Sequence, residues 1–346
     1  MNTTQKENNV LRPAHIPDDG HAHIKFGSDP RPNLQKYGYC VVEDVFDEKF
    51  CKSTIDEMWN WLKGLGTGIR RNDPKTWTID KWPYCLRAGM LQHTLGHAKF
   101  VWETRQNANV IKIFSQIYGT TELMTSFDGA SINRPNTVVW SEELDQKNKS
   151  SWLHTDQNVI HTTNVEDVYT SDEYSIQGIA NFENVGDNDG SLFVGESSHL
   201  LHKQLFEWNG NEPKKNWYIL KKDDIEYLKE NGTKFIKINA PAGAFILFDS
   251  RCFHSGCASV GKNNDTFRYV VYVSQTPAKR ATKEDIALKI KAVETGRTTS
   301  HWSTCNIKIF PLPRFSTCDY MTRPENIPDY KNWSVDRQKL AGLIPY

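Results

Sequence analysis

The chain has 346 residues, 42 basic and 42 acidic side chains, and a hydrophobic content of 38%. That length can bury a full core without disulfides or structural metals, and the hydrophobic content is too high for a globally disordered chain. A formal net charge of zero argues against a protein held to nucleic acid by long-range electrostatics, and no run approaches the ~20 continuous apolar residues of a membrane span.

The N-terminus, MNTTQKENNV, is polar and lacks the apolar core of a signal peptide. The expected compartment is therefore the cytoplasm. Seven scattered cysteines without CxxC pairs agree with a reducing space. Residues 1–30 carry Pro and Gly punctuation and three histidines, His15, His21 and His23, and read as a flexible segment. Residues 31–346 read as a single domain. At 37–46 the run YGYCVVEDVF is short and apolar. The helix that follows places Cys51, Ile55, Met58 and Leu62 on one face and stops at Gly64 and Gly66. A second helix is expected over 101–118.

From about 122 to 275 the texture is that of strands. LMTSFDGASINRP, TVVW, YSIQGIANFENV, SLFVG, KFIKINA, AFILFDS and FRYVVYVSQ are β-rich runs separated by Asn, Asp, Gly and Pro clusters, as in a sandwich or barrel. Residues 281–296 look helical, and the remainder to 346 reads as irregular and Pro-rich. The layout is mostly β with flanking helices.

The motif that carries chemistry is Trp152-Leu153-His154-Thr155-Asp156-Gln157. In an extended strand His154 and Asp156 point to the same side, giving a divalent metal two ligands. His254, just after the apolar strand AFILFDS, can supply a third. Two His and one carboxylate on one face of an ion form the facial triad of non-haem Fe(II) oxygenases. With 11 His and 42 acidic residues, chance alone produces about one His-x-acid pair. The weight of the motif therefore rests on its β context, on His254 and on Arg268. Arg268 shares a strand face with Val270 and Tyr272. An arginine directed into a β core needs an anion, and its forked donors suit a carboxylate such as the distal one of 2-oxoglutarate. An internal acidic partner is the plainer reading of Arg268. Cys252, His254 and Cys257 also offer a weaker zinc alternative.

Over about 37–275 the chain resembles the phytanoyl-CoA dioxygenase family of Fe(II)/2-oxoglutarate oxygenases. The resemblance rests on YGYCVVEDVF, the strand SFDGASINRP before the motif, the His-Thr-Asp motif itself, YSIQGIANFENVGDNDGSLFVGESSHL, and FHSG followed by an Arg-bearing strand. Departures from the family pattern are Gly243-Ala244 before the distal-His strand and Gly256 two residues after that His. The resemblance implies a double-stranded β-helix, or cupin-like jelly roll, with helices outside. It further implies Fe(II) on His154, Asp156 and His254, and 2-oxoglutarate on Arg268, with Arg134 before Pro135 as a second contact. O2 is then the oxidant. Hydroxylation of a small organic substrate, with release of succinate and CO2, is the expected reaction. A jelly-roll module without catalysis, or an oxygenase acting on a protein or nucleic acid, are the competing readings. TTSHWS, in the C-terminal region, lies outside the resemblance and gives no clue to substrate.

Overall fold

The structure is a computed structural model, and it describes residues 10–86, 89–92, 95–139, 141, 149–157, 174–211, 215–311 and 327–346. In chain order the described strands are β1 (Ile16–Pro17), β2 (His23–Lys25), β3 (Tyr39–Glu43), β4 (Met90–Leu91), β5 (Leu123–Thr125), β6 (Ala130–Asn133), β7 (His154–Thr155), β8 (Ile176–Asn181), β9 (Ser191–Gly195), β10 (Tyr218–Ile219), β11 (Phe235–Lys237), β12 (Phe245–Asp249), β13 (His254–Cys257), β14 (Arg268–Val273) and β15 (Gln275–Pro277).

Two largely antiparallel sheets make the core. The larger runs β2-β3-β12-β8-β14-β6-β4, and the smaller runs β1-β11-β9-β13-β7-β10. Alternation along the strands sorts the side chains into two layers. Val41, Ile179, Ile246 and Val270 of the larger sheet meet Leu192, Val194 and Ile236 of the smaller one in a shared apolar interior. Ala130, Ile132, Leu247 and Val271 face the other way, into a second apolar cluster formed with the helices.

The helix Glu48–Gly64 belongs to that outer cluster. Its N-cap Asp47 accepts from the Phe50 N–H, satisfying an orphan donor of the first turn. The face expected from the sequence, Cys51, Ile55, Met58 and Leu62, is buried there. Just past its end, Gly66 takes a φ of 73°, which suits glycine.

Three expectations are corrected. The helix predicted over 101–118 is two helices, Lys99–Arg105 and Ala108–Tyr118. The second is restarted by Asn107, whose side chain accepts from the Asn109 N–H. The C-terminal stretch is not wholly irregular, because Ser334 caps a helix over Val335–Ala341. The N-terminal segment is not a free tail from residue 16 onward: β1 pairs with β11 and β2 with β3, both in parallel. His23, expected in a flexible segment, sits between Glu43 at 2.8 Å and Asp18 at 3.2 Å. Residues 1–9 lie outside the described residues. The helix expected at 281–296 is observed over Lys283–Glu294, opened by a Thr282–Asp285 capping box. Among the described residues, no helix is long and apolar enough to cross a membrane.

Candidate metal centre

The smaller sheet brings the proposed ligands together. β13 pairs with β7 so that His254 stands opposite His154. Asp156 lies just beyond β7, and its backbone N–H donates to Ser250 O at 3.1 Å. Thr155, between the two motif residues, is fully buried and donates its hydroxyl to the same carbonyl at 3.1 Å. This clamps the motif to the connection between β12 and β13, which carries His254. That connection is braced by the buried Asp249, which accepts from the Arg251 guanidinium at 2.6 Å and from the Tyr174 hydroxyl at 2.5 Å.

One donor atom from each of His154, Asp156 and His254 lies within 4.8 Å of the others. His154 Nε2 is 3.8 Å from Asp156 Oδ1, and His254 Nε2 is 3.4 Å from Asp156 Oδ2. Donors bound at ~2.1 Å and at right angles around one ion would be ~3 Å apart, so binding needs only a small contraction. Among the described residues this is the one group of His, Cys, Asp and Glu so arranged.

The tautomers are set by the backbone. His154 Nδ1 is 2.9 Å from Trp152 O, and His254 Nδ1 is 3.0 Å from Cys252 O. A carbonyl oxygen only accepts, so each Nδ1 carries the proton and each Nε2 presents a lone pair to the site. Burial, helped by the charge of His254, lowers the His154 pKa to about 4, keeping it neutral and able to ligate at pH 7. Burial pushes Asp156 the other way. The imidazoles of His301 and His154 and the contact with His254 overcome it, and the carboxyl is held well below its ordinary value. Gln177 on β8 donates to Asp156 Oδ2 at 2.9 Å and fixes the carboxylate plane.

Arg268 lies on β14 and is only 4% exposed. No carboxylate pairs with it among the described residues, and its Nε has no hydrogen-bond partner. Its polar neighbour is the half-buried Tyr272 phenol, which also bonds Ser131 Oγ at 2.7 Å. An arginine so buried is costly without an anion. The internal acidic partner considered from sequence is not found, and the guanidinium fits a carboxylate cosubstrate.

Arg134 is a correction. Ser131 and Asn133 share the inward face of β6, so the next residue turns outward. The Arg134 guanidinium donates to Trp77 O at 2.5 Å and lies over the Trp82 ring, in the outer helical cluster. The zinc alternative also fails to assemble, because Cys252 Sγ donates to Gly38 O and Cys257 Sγ to Ser191 O.

Sequence reasoning missed His301 and Gln177. His301, from the TTSHWS segment, places Nδ1 3.9 Å from Asp156 Oδ2. Two tryptophans flank the mouth: Trp152 stacks on His154 at 4.9 Å, and Trp217, which is 41% exposed, lies 6.0 Å from it. His161, considered from sequence as a pocket edge, lies outside the described residues.

Comparison with known proteins agrees with the motifs. The chain is 27% identical over 271 residues to the Ava biosynthesis cluster protein O of Aspergillus versicolor, covering 75% of this chain and 81% of that protein. It is 26% identical over 113 residues to a Dictyostelium discoideum protein described as a candidate phytanoyl-CoA dioxygenase, covering 32% of each chain. The chain resembles the phytanoyl-CoA dioxygenases. No family model matches it. In fold it is similar to a candidate oxidoreductase of Salmonella typhimurium LT2, with a TM-score of 0.62 at 12% identity over 93% of this chain and 86% of that one. It is also similar to GIG2 of Candida albicans, with a TM-score of 0.56 at 14% identity over 93% and 79%.

Proposed function

We propose that this protein is an Fe(II)- and 2-oxoglutarate-dependent dioxygenase that hydroxylates a small organic substrate and releases succinate and CO2. In this reading the two sheets form a double-stranded β-helix. The observation that carries it is the convergence of His154, Asp156 and His254 in the same interior as a buried arginine with no acidic partner. The phytanoyl-CoA dioxygenase resemblance supports the same chemistry.

Iron with 2-oxoglutarate supplies oxidative decarboxylation of the cosubstrate by O2, coupled to oxidation of a C–H bond. The chain's own residues do the rest. Trp152 O and Cys252 O hold the two imidazoles with Nε2 inward. Gln177 keeps one carboxylate oxygen of Asp156 occupied, so the other is presented to the ion. His154, Asp156 and His254 would hold the ion and let it take the cosubstrate. Arg268 orients the cosubstrate through its distal carboxylate, and the apolar layer around Ile179, Val194 and Val270 excludes water.

The test is anaerobic addition of Fe(II) and 2-oxoglutarate to the purified chain. A weak visible charge-transfer band is expected, which His154→Ala abolishes, together with succinate release once air is admitted. Absence of the band from the native chain would overturn the reading.

A further inference from the structure

Asp128 is 7% exposed, and its Oδ1 accepts from the Gly129 N–H at 2.7 Å. No Lys, Arg or His makes an ion pair with it among the described residues. Arg105 lies behind it, but the two terminal nitrogens of that fully buried guanidinium donate to backbone carbonyls, Gly96 O and Asp128's own O at 2.6 Å. The Arg105 charge offsets only part of the burial cost; a buried carboxylate without an ion-paired cation is costly, and such local costs concentrate where a ligand completes the site.

Asp128 lies in the segment between β5 and β6 that runs beside β14 and the metal centre. Gly129, its neighbour, accepts from the Tyr272 N–H on β14. The charge of Asp128 acts on the Tyr272 phenol, and that of Asp156 acts on Asp128. The C-terminal segment runs alongside: the Phe127 N–H donates to Thr299 Oγ1 at 3.1 Å, and the Thr299 N–H donates to Phe127 O at 2.9 Å. Two residues further on, His301 comes within 3.9 Å of Asp156, with its buried Nε2 lacking any partner. The paired 127–129 and 299–301 segments therefore carry a carboxylate within electrostatic reach of the centre and an imidazole in contact with Asp156.

We propose that the site takes a substrate carrying a basic nitrogen, with Asp128 as the counter-charge and His301 as a positioning residue beside it. The proposal rests on the oxygenase reading for the reaction but not for the recognition. A charged N–H donor would meet an ionised acceptor, the stronger class of hydrogen bond. The aromatic faces of Trp152 and Trp217 at the mouth also favour a cation on its way in.

The test measures binding by calorimetry to the full chain, with no metal added, for three matched pairs: tryptamine and tryptophol, phenethylamine and phenethyl alcohol, and 1,5-diaminopentane and 1,5-pentanediol. At least one amine should bind about tenfold or more tightly than its alcohol. Asp128→Asn should reduce that preference to within about twofold while leaving the alcohol's affinity in place. Equal affinity, or no binding, across all three native pairs overturns the proposal without any variant, and so does a preference that survives Asp128→Asn. The Fe(II)/2-oxoglutarate band is recorded separately on the native chain. Its absence would defeat the oxygenase reading and leave the amine preference standing, and the converse holds.

Discussion

Asp128→Asn makes a quantitative prediction about stability as well as binding. Burial raises the Asp128 pKa from 3.8 to about 6; the charge of Asp156 adds to this, and the Gly129 N–H and Arg105 oppose it. A carboxyl with a raised folded-state pKa is protonated more readily in the folded chain than in the unfolded one. It therefore costs nothing below about pH 4 and destabilises increasingly as pH climbs toward 6, with the full cost present above that. Two pKa units correspond to about 3 kcal/mol. Asparagine keeps an oxygen to accept from the Gly129 N–H but carries no charge to desolvate. In urea unfolding of the metal-free chain, the variant should thus be about 2–3 kcal/mol more stable than the native chain at pH 7.5, and the gap should close by pH 4. Reading the difference between the two proteins cancels the acid-side losses from Asp156 and Asp249, whose folded-state pKa values lie below their ordinary ones. A gap independent of pH, or a variant less stable at pH 7.5, would refute the placement of an uncompensated carboxylate at this position.

Gln177→Ala removes the hydrogen bond to Asp156 and should weaken Fe(II) binding about 10–100-fold, read by titrating the charge-transfer band, with the fold intact by circular dichroism. Arg268→Lys replaces a forked donor by a point charge and should raise the 2-oxoglutarate concentration giving half the band by about tenfold or more, with the Fe(II) requirement unchanged. Arg134→Ala should leave that concentration within about twofold of the native value and lower the melting temperature instead, because the side chain is packed over Trp82. Met58→Ala, at a fully buried position of the helix Glu48–Gly64, should cost about 2–5 kcal/mol in urea unfolding and leave metal affinity alone.

The parts of the site legible in the sequence are those fixed by local alternation. His154 and Asp156 converge because they flank one strand residue, and Arg268 shares an inward face with Val270 and Tyr272. His254 was placed by the apolar run before it. The same rule, applied one residue further along β6, argues against Arg134: Asn133 is inward, so Arg134 is not. The N-terminal segment was misread because a polar composition does not reveal that a short stretch will add to a sheet edge. Ile16–Pro17 and His23–Lys25 are ordered by backbone pairing and by His23 lying between two acids, none of which leaves an apolar signature.

The residues around Asp156 were illegible for a different reason. Gln177, Asp128 and His301 come from three distant stretches, and nothing in their local sequence distinguishes them from ordinary surface residues. They are joined by long-range backbone geometry: β8 aligned beside β14, and residues 298–301 laid along Phe127. Phe127 is itself held between two buried basic side chains, Arg105 and Lys289, the second donating to Thr125 O at 2.6 Å. Lys289 sits on the helix Lys283–Glu294, from which the chain runs on to His301. This arrangement couples the region that carried no motif to the segment between β5 and β6 that bears Asp128. Under the proposed function, keeping His154, Asp156 and His254 while varying 298–304 is expected to alter substrate choice and leave Fe(II) and 2-oxoglutarate binding in place. Selectivity should accordingly follow substitutions at Asp128 and His301, and Fe(II) and 2-oxoglutarate affinities should follow those at Gln177 and Arg268.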